Sequence, residues 1–359
     1  MSSKYIGPLA WRLFACLSVW VIIAASLFLG SAVVDAQLRS RVAEAQSLVT
    51  LRAALFSSVS DAGIYVAQEK GYFAEVGITV EDSTFTATSD ILVAMTAGQV
   101  DMGGVPISAG FFNAYARGAV VRLVSDKGSL PPGYGYQGII IRQDLVDVLR
   151  GPADLRGRRI AITDYGISTE VTIARYLERA GLTIRDIDLV TMGFGDMVVG
   201  LANRGIDAAM SIEPIITSVS AQGIARVLVR NDEVSPNQQN AVLAFAESLM
   251  RNPEVGRRFM VAYLRGARLY NDAFAKQDAA ARAEIIDILT RRTNVRDAAL
   301  YERMAMPGLH PDGAINVESM RRDSAYFLQM GYQATPVDVG EIVDGQFVQY
   351  AVQQLGPYR

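Results

Sequence analysis

The chain has 359 residues, room for two domains of ordinary size. Half of them are hydrophobic and 20% are charged, so sizeable cores are possible and global disorder is excluded. A net charge of −3 gives no footprint for nucleic acid, and the single histidine, His310, and single cysteine, Cys16, nearly rule out His/Cys zinc sites, iron–sulfur clusters and Ser-His-Asp or Cys-His catalysis.

In chain order, Lys4 and Arg12 precede an uncharged run from Leu13 to Val34, which closes on Val34-Asp35-Ala36. A basic start, an apolar centre and a small residue before the cut predict a secretory signal over residues 1–36, with a mature start at Gln37. Such a chain works in the periplasm and, without Cys16, folds without disulfides. The run is also long enough to cross a bilayer, so an uncleaved anchor is the alternative. Either way the membrane is met only through this segment.

From residue 48 the pattern alternates short strands and helices. Strands are expected at 48–56, 78–81, around VDMGGV and at 120–126, with helices between them. Asp61 and Ser89 stand at N-cap positions, and Gly71, Gly98 and Gly118 at stops. A connector rich in glycine and proline, 127–138, separates this run from a second, with strands at 138–142, 158–163, 188–192, 206–212 and 241–246. From Pro253 the periodicity is helical, and the stripe Met260, Tyr263, Leu264, Ala267, Tyr270 reads as core. Met95-x-x-Gly98-x-Val100-Asp101 and Leu201-x-x-Arg204-x-Ile206-Asp207 share a spacing, an echo that fits two lobes of related topology. The division predicted is 46–130 for the first lobe, 131–246 for the second, and 247–359 for a return to the first plus C-terminal helices. Hinges are expected near 127–138 and after Ala246.

GIYVAQEKGYFAEVGITVE (63–81) resembles the opening of periplasmic substrate-binding proteins of the nitrate/sulfonate/taurine and thiamine-pyrimidine type. The likeness continues in order through AMTAGQVDMGGV (94–105), DLRGRRIAIT (154–163), GLANRGIDAAMSIEP (200–214) and NPEVGRRFMVAYLRGARLY (252–270). It implies an α/β, two-lobed clamshell of the type II periplasmic-binding fold with a helical C-terminal extension. It also implies a small ligand held between the lobes, an ABC transporter permease as partner, no cofactor and no catalysis. The pyrimidine-forming enzymes of this fold need histidine and cysteine that this chain lacks. A membrane-anchored sensor is the remaining alternative.

In open α/β sheets ligands bind at the carboxyl ends of the strands, which selects the loops to inspect. After the first strand these are Ser57, Ser60 and Asp61; after the second, Phe85 and Thr86; after the third, Pro106, Ile107 and Ser108. In the second lobe they are Tyr165, Gly166, Ser168 and Thr169, and Glu213 after IDAAMSI. Each hydroxyl can equally be a helix cap, Phe85 can plug the core, and Glu213 can pair with a base instead of a ligand amine. No lysine or arginine stands in these loops, so a carboxylate or sulfonate would rest on neutral donors and the helix start at Ser168 and Thr169. His310 lies in a turn, expected at the surface, and Gly133-x-Gly135 lacks the third glycine of a dinucleotide fingerprint.

Overall fold

The computed structural model describes residues 48–359; the expected signal, 1–36, and Cys16 lie outside the described residues. Runs of aliphatic and β-branched residues form two five-stranded sheets. In the first, β1 (Val49–Leu55) is parallel to β2 (Ile78–Thr84) and β3 (Met102–Pro106), and β10 (Gln239–Phe245) lies antiparallel between β3 and β4 (Arg122–Ser129). In the second, β6 (Arg159–Ile162) is parallel to β7 (Asp188–Thr191) and β8 (Ala208–Ile212), and β5 (Gln137–Arg142) lies antiparallel between β8 and β9 (Ala225–Arg230). The orders β2-β1-β3-β10-β4 and β7-β6-β8-β5-β9 correspond position by position. Both sheets are therefore built on one plan.

Helices α1 (Ala62–Glu69), α2 (Thr88–Thr96) and α3 (Ala109–Ala116) follow β1, β2 and β3. In the second lobe α4 (Ser168–Glu178), α5 (Phe194–Ala202) and α6 (Ile215–Ala221) follow β6, β7 and β8. Each thus starts at the carboxyl edge of its sheet. The long α7 (Pro253–Phe274) returns to the first lobe, followed by α8 (Ala279–Arg292), α9 (Val317–Gln329) and α10 (Gln346–Leu355). The predicted stripe on α7 is fully buried and shares one cluster with Leu51, Leu55 and Ile78 of the first sheet. Gly266 permits that approach, because a Cβ there would collide with the Gly63 carbonyl of α1.

Three details differ from the sequence reading. β10 belongs to the first sheet, so the second lobe does not extend to 246. The chain crosses between sheets at 130–136 and 231–238, not after Ala246, and the crossings hydrogen-bond to each other through Asn237 N–H to Leu130 O (2.7 Å) and Leu130 N–H to Gln238 O (3.1 Å). Finally, β4 runs on through Ser129 and β9 was not anticipated.

Candidate ligand-binding cleft

A cleft open to solvent, with about 490 Å³ of space free of protein atoms when the solvent at its mouth is included, lies where the carboxyl edges of the two sheets face each other. Its apolar wall includes Phe56, Val105 and Pro106 from the first lobe and Ile167, Phe194 and Met210 from the second. Phe56 and Phe194 meet edge to face across the cleft, with ring centres 6.2 Å apart. Such a wall suits a flat or bulky organic body.

The polar wall draws on both lobes and on the crossings between them. After β1, Ser58 caps the turn before α1, its Oγ accepting from the Ser60 N–H (3.2 Å), while its own N–H donates to Asp61 Oδ2 (2.9 Å). Asp61 therefore caps backwards and makes no side-chain bond to α1. Its Oδ1 lies 2.7 Å from Lys127 Nζ, and the two side chains are 0% and 2% exposed. Lys127 Nζ also donates to Ser60 Oγ (2.9 Å) and faces the cavity from β4. Gly104 of β3 makes room for it: a Cβ there would lie 2.7 Å from Lys127 Cδ and closer still to Cε. The next residue back, Asp126, points the other way; burial pushes its carboxyl up to about 6 despite hydrogen bonds from the His310 N–H and Gln239.

Where the crossings enter the sheets, Tyr136 Oη donates to Asn240 Oδ1 (3.3 Å), and Asn240 Nδ2 donates to Gln137 Oε1 (2.6 Å). Burial drives the Tyr136 phenol far above its ordinary range, so it serves as a neutral donor. Thr163 and Thr169 add hydroxyls from the second lobe.

Of the predicted residues, Ser60, Pro106 and Thr169 line the cavity, and Asp61 stands directly behind its wall. The others do not line it. Ser57, in the left-handed region at φ 54°, bonds Thr84 through its hydroxyl. Phe85 packs at the edge of the core, and Thr86 is exposed against Gly193 of the other lobe. Ile107 is buried and Ser108 caps α3, its Oγ accepting from the Phe111 N–H. Tyr165 is half exposed at the cleft mouth and donates to the Leu189 carbonyl, while the Gly166 N–H donates to Glu170. Ser168 is buried with its hydroxyl turned toward the Asn240 carbonyl (3.4 Å), away from the cavity. Glu213 is engaged by Arg230 Nη1 (2.9 Å) and by the Thr217 N–H and hydroxyl at the start of α6. Of its two sequence readings, pairing with a base is the one observed. Ser89 is no N-cap either: α2 begins at Thr88, whose N–H donates to Asp164 of the second lobe (2.7 Å) as the Ser89 hydroxyl does (2.8 Å).

Lys127, Gln137 and Asn240 escaped the sequence reading because they stand on strands that lead into or out of the crossings, not on loops after parallel strands. The signal for Lys127 was its place at the end of VVRLVSDK, one step beyond the expected strand.

A family model described as NMT1/THI5 like matches residues 59–280. The chain belongs to the NMT1/THI5-like family. It is similar to "Putative binding protein BAB2_1146" of Brucella abortus (strain 2308), 25% identical over 256 residues that cover 70% of this chain and 76% of the relative. Among solved structures, the periplasmic nitrate-binding protein NrtA from Synechocystis PCC 6803 superposes with a TM-score of 0.72 at 14% identity, covering 86% of this chain and 89% of that one. The alkanesulfonate-binding protein SsuA from Xanthomonas axonopodis pv. citri, bound to MOPS, gives 0.66 at 20% identity, covering 83% and 98%. This NMT1/THI5-like chain accordingly has the type II periplasmic-binding fold, with a helical C-terminal region. Among the described residues no cluster of three or more His, Cys, Asp or Glu could hold a metal, and no helix is long and apolar enough to cross a membrane.

Proposed function

We propose that this protein is an exported, non-enzymatic receptor that captures a small organic molecule between its lobes and presents it to the permease of an ABC importer. The observation that carries this reading is the cavity itself, walled by both lobes and adjoined by two short crossings on which the lobes can rotate. The family and the transport-related names of its structural neighbours support the same role and a periplasmic site of action. Ligands of sulfonate, carboxylate or pyrimidine type, the acids each with its uncharged amide, are the classes to test. In a thermal-shift screen of these on stripped protein, a ligand at 100 times its Kd adds about 2.7 kcal/mol of stability. A screen in which no class shifts the transition, or in which a compound is turned over, contradicts the proposal.

A further inference from the structure

Resting on the receptor reading, we propose that the Lys127–Asp61 pair makes the cleft selective for an uncharged ligand, one that presents a carbonyl, amide or sulfonyl oxygen to the Lys127 ammonium. Among the described residues lining the cavity, Lys127 is the one lysine, arginine, aspartate or glutamate. Its charge is already matched by Asp61 at 2.7 Å, so the ion pair carries no net charge. Of the lysine's three N–H bonds one donates to Ser60 Oγ, and Asp61 Oδ1 holds the ammonium as an ion pair at 2.7 Å without accepting a hydrogen bond, which leaves donor capacity for a ligand acceptor.

An anion entering this cavity would be buried with no net countercharge, because its natural partner is held by Asp61. The amino end of α4, which faces the cavity through Ile167 and Thr169, offers only roughly half a positive charge. That suits the negative end of a dipole better than a full anion. Phe56 and Phe194 would cover the apolar remainder of the molecule.

The test compares isosteric pairs on the full chain at constant ionic strength: nicotinamide with nicotinate, benzamide with benzoate, and benzenesulfonamide with benzenesulfonate, each by thermal shift and calorimetry. At least one amide is expected to bind tenfold or more tightly than its acid. Asp61→Asn, which leaves Lys127 unmatched, should move that ratio at least tenfold toward the acid. Should that variant not fold, Lys127→Met/Asp61→Asn decides: weaker amide binding without gain for the acid supports the assignment, and unchanged amide affinity overturns it. The assignment also fails if the wild-type chain prefers an acid, takes none of the amides, or keeps its ratio in Asp61→Asn. Compaction of the protein by a bound probe of either charge tests the receptor reading separately, so the two failures are distinguishable.

Discussion

Lys127 is buried almost completely, and a buried ammonium is tolerable only beside a well-placed partner. Removing that partner alone leaves an uncompensated charge. Asp61→Ala should therefore cost about 3–5 kcal/mol, whereas Asp61→Leu with Lys127→Met should fall well short of that loss. Urea unfolding of the single and double variants measures both, and equal losses would contradict the pairing. At this scale the sequence was only partly legible. Ser60 and Thr169 were found because a hydroxyl after a strand is a local signal, but which way Ser168 turns is set by the Asn240 carbonyl, 72 residues away. Glu213 was recognised as a notable acid, yet its partner Arg230 ends β9, a strand that sequence periodicity did not reveal.

Among the elements, the echoed motif has a structural explanation. Asp101 precedes β3 and Asp207 precedes β8, equivalent strands in the two sheets. Asp101 N–H donates to Arg52 O, and the Arg52 N–H donates back to Asp101 Oδ2; Asp207 exchanges the same pair of bonds with Arg159. The repeated aspartate thus ties β3 to β1 and β8 to β6 and fixes their register. Burial works to raise the Asp101 carboxyl, but hydrogen bonds from the Arg52 side chain and backbone and from Ser248 outweigh it, holding the group below the ordinary range. Asp101→Asn should lower stability by about 1.5 kcal/mol at pH 7, the low end for bonds to a charged group because Arg52 is half exposed. A depressed carboxyl gives its stability above the unfolded value and loses it as pH falls through the folded one, so the gap between wild type and variant should close in acid. A gap that widens there would refute this role. The positions of most strands followed from alternation and glycine stops; the far end of β4 did not, because the connector's prolines and glycines masked it, and nothing in the periodicity marked β9.

Across the molecule, two lobes were legible from the sequence, but the place where the chain recrosses was not. β10 reads as any other strand, and only its antiparallel pairing with β3 and β4 assigns it to the first sheet. Its approach carries Gln238, whose Nε2 bonds the Ser168 carbonyl of α4 (3.1 Å) and the Asp323 carboxylate of α9 (3.1 Å). The C-terminal helix α9 is therefore joined to the second crossing and, through it, to the second lobe. Burial pushes the Asp323 carboxyl up to about 7, against the pull of Gln238, Arg175 and Arg322. A raised carboxyl favours the folded state most at low pH, and this contribution is lost as pH rises from the ordinary value near 3.8 through about 7. Relative to Asp323→Asn, wild-type stability should fall between pH 5 and 7 by up to about 1.4 kcal/mol per unit, and parallel pH profiles would argue against it. In the closure proposed, the lobes shut on a small molecule with Thr88 and Ser89 meeting Asp164 at the mouth of the cleft. Small-angle scattering of the stripped protein, before and after saturation with a compound whose binding calorimetry has confirmed, tests it most directly. A smaller radius of gyration in the bound state is predicted; an unchanged one at confirmed saturation would contradict the account.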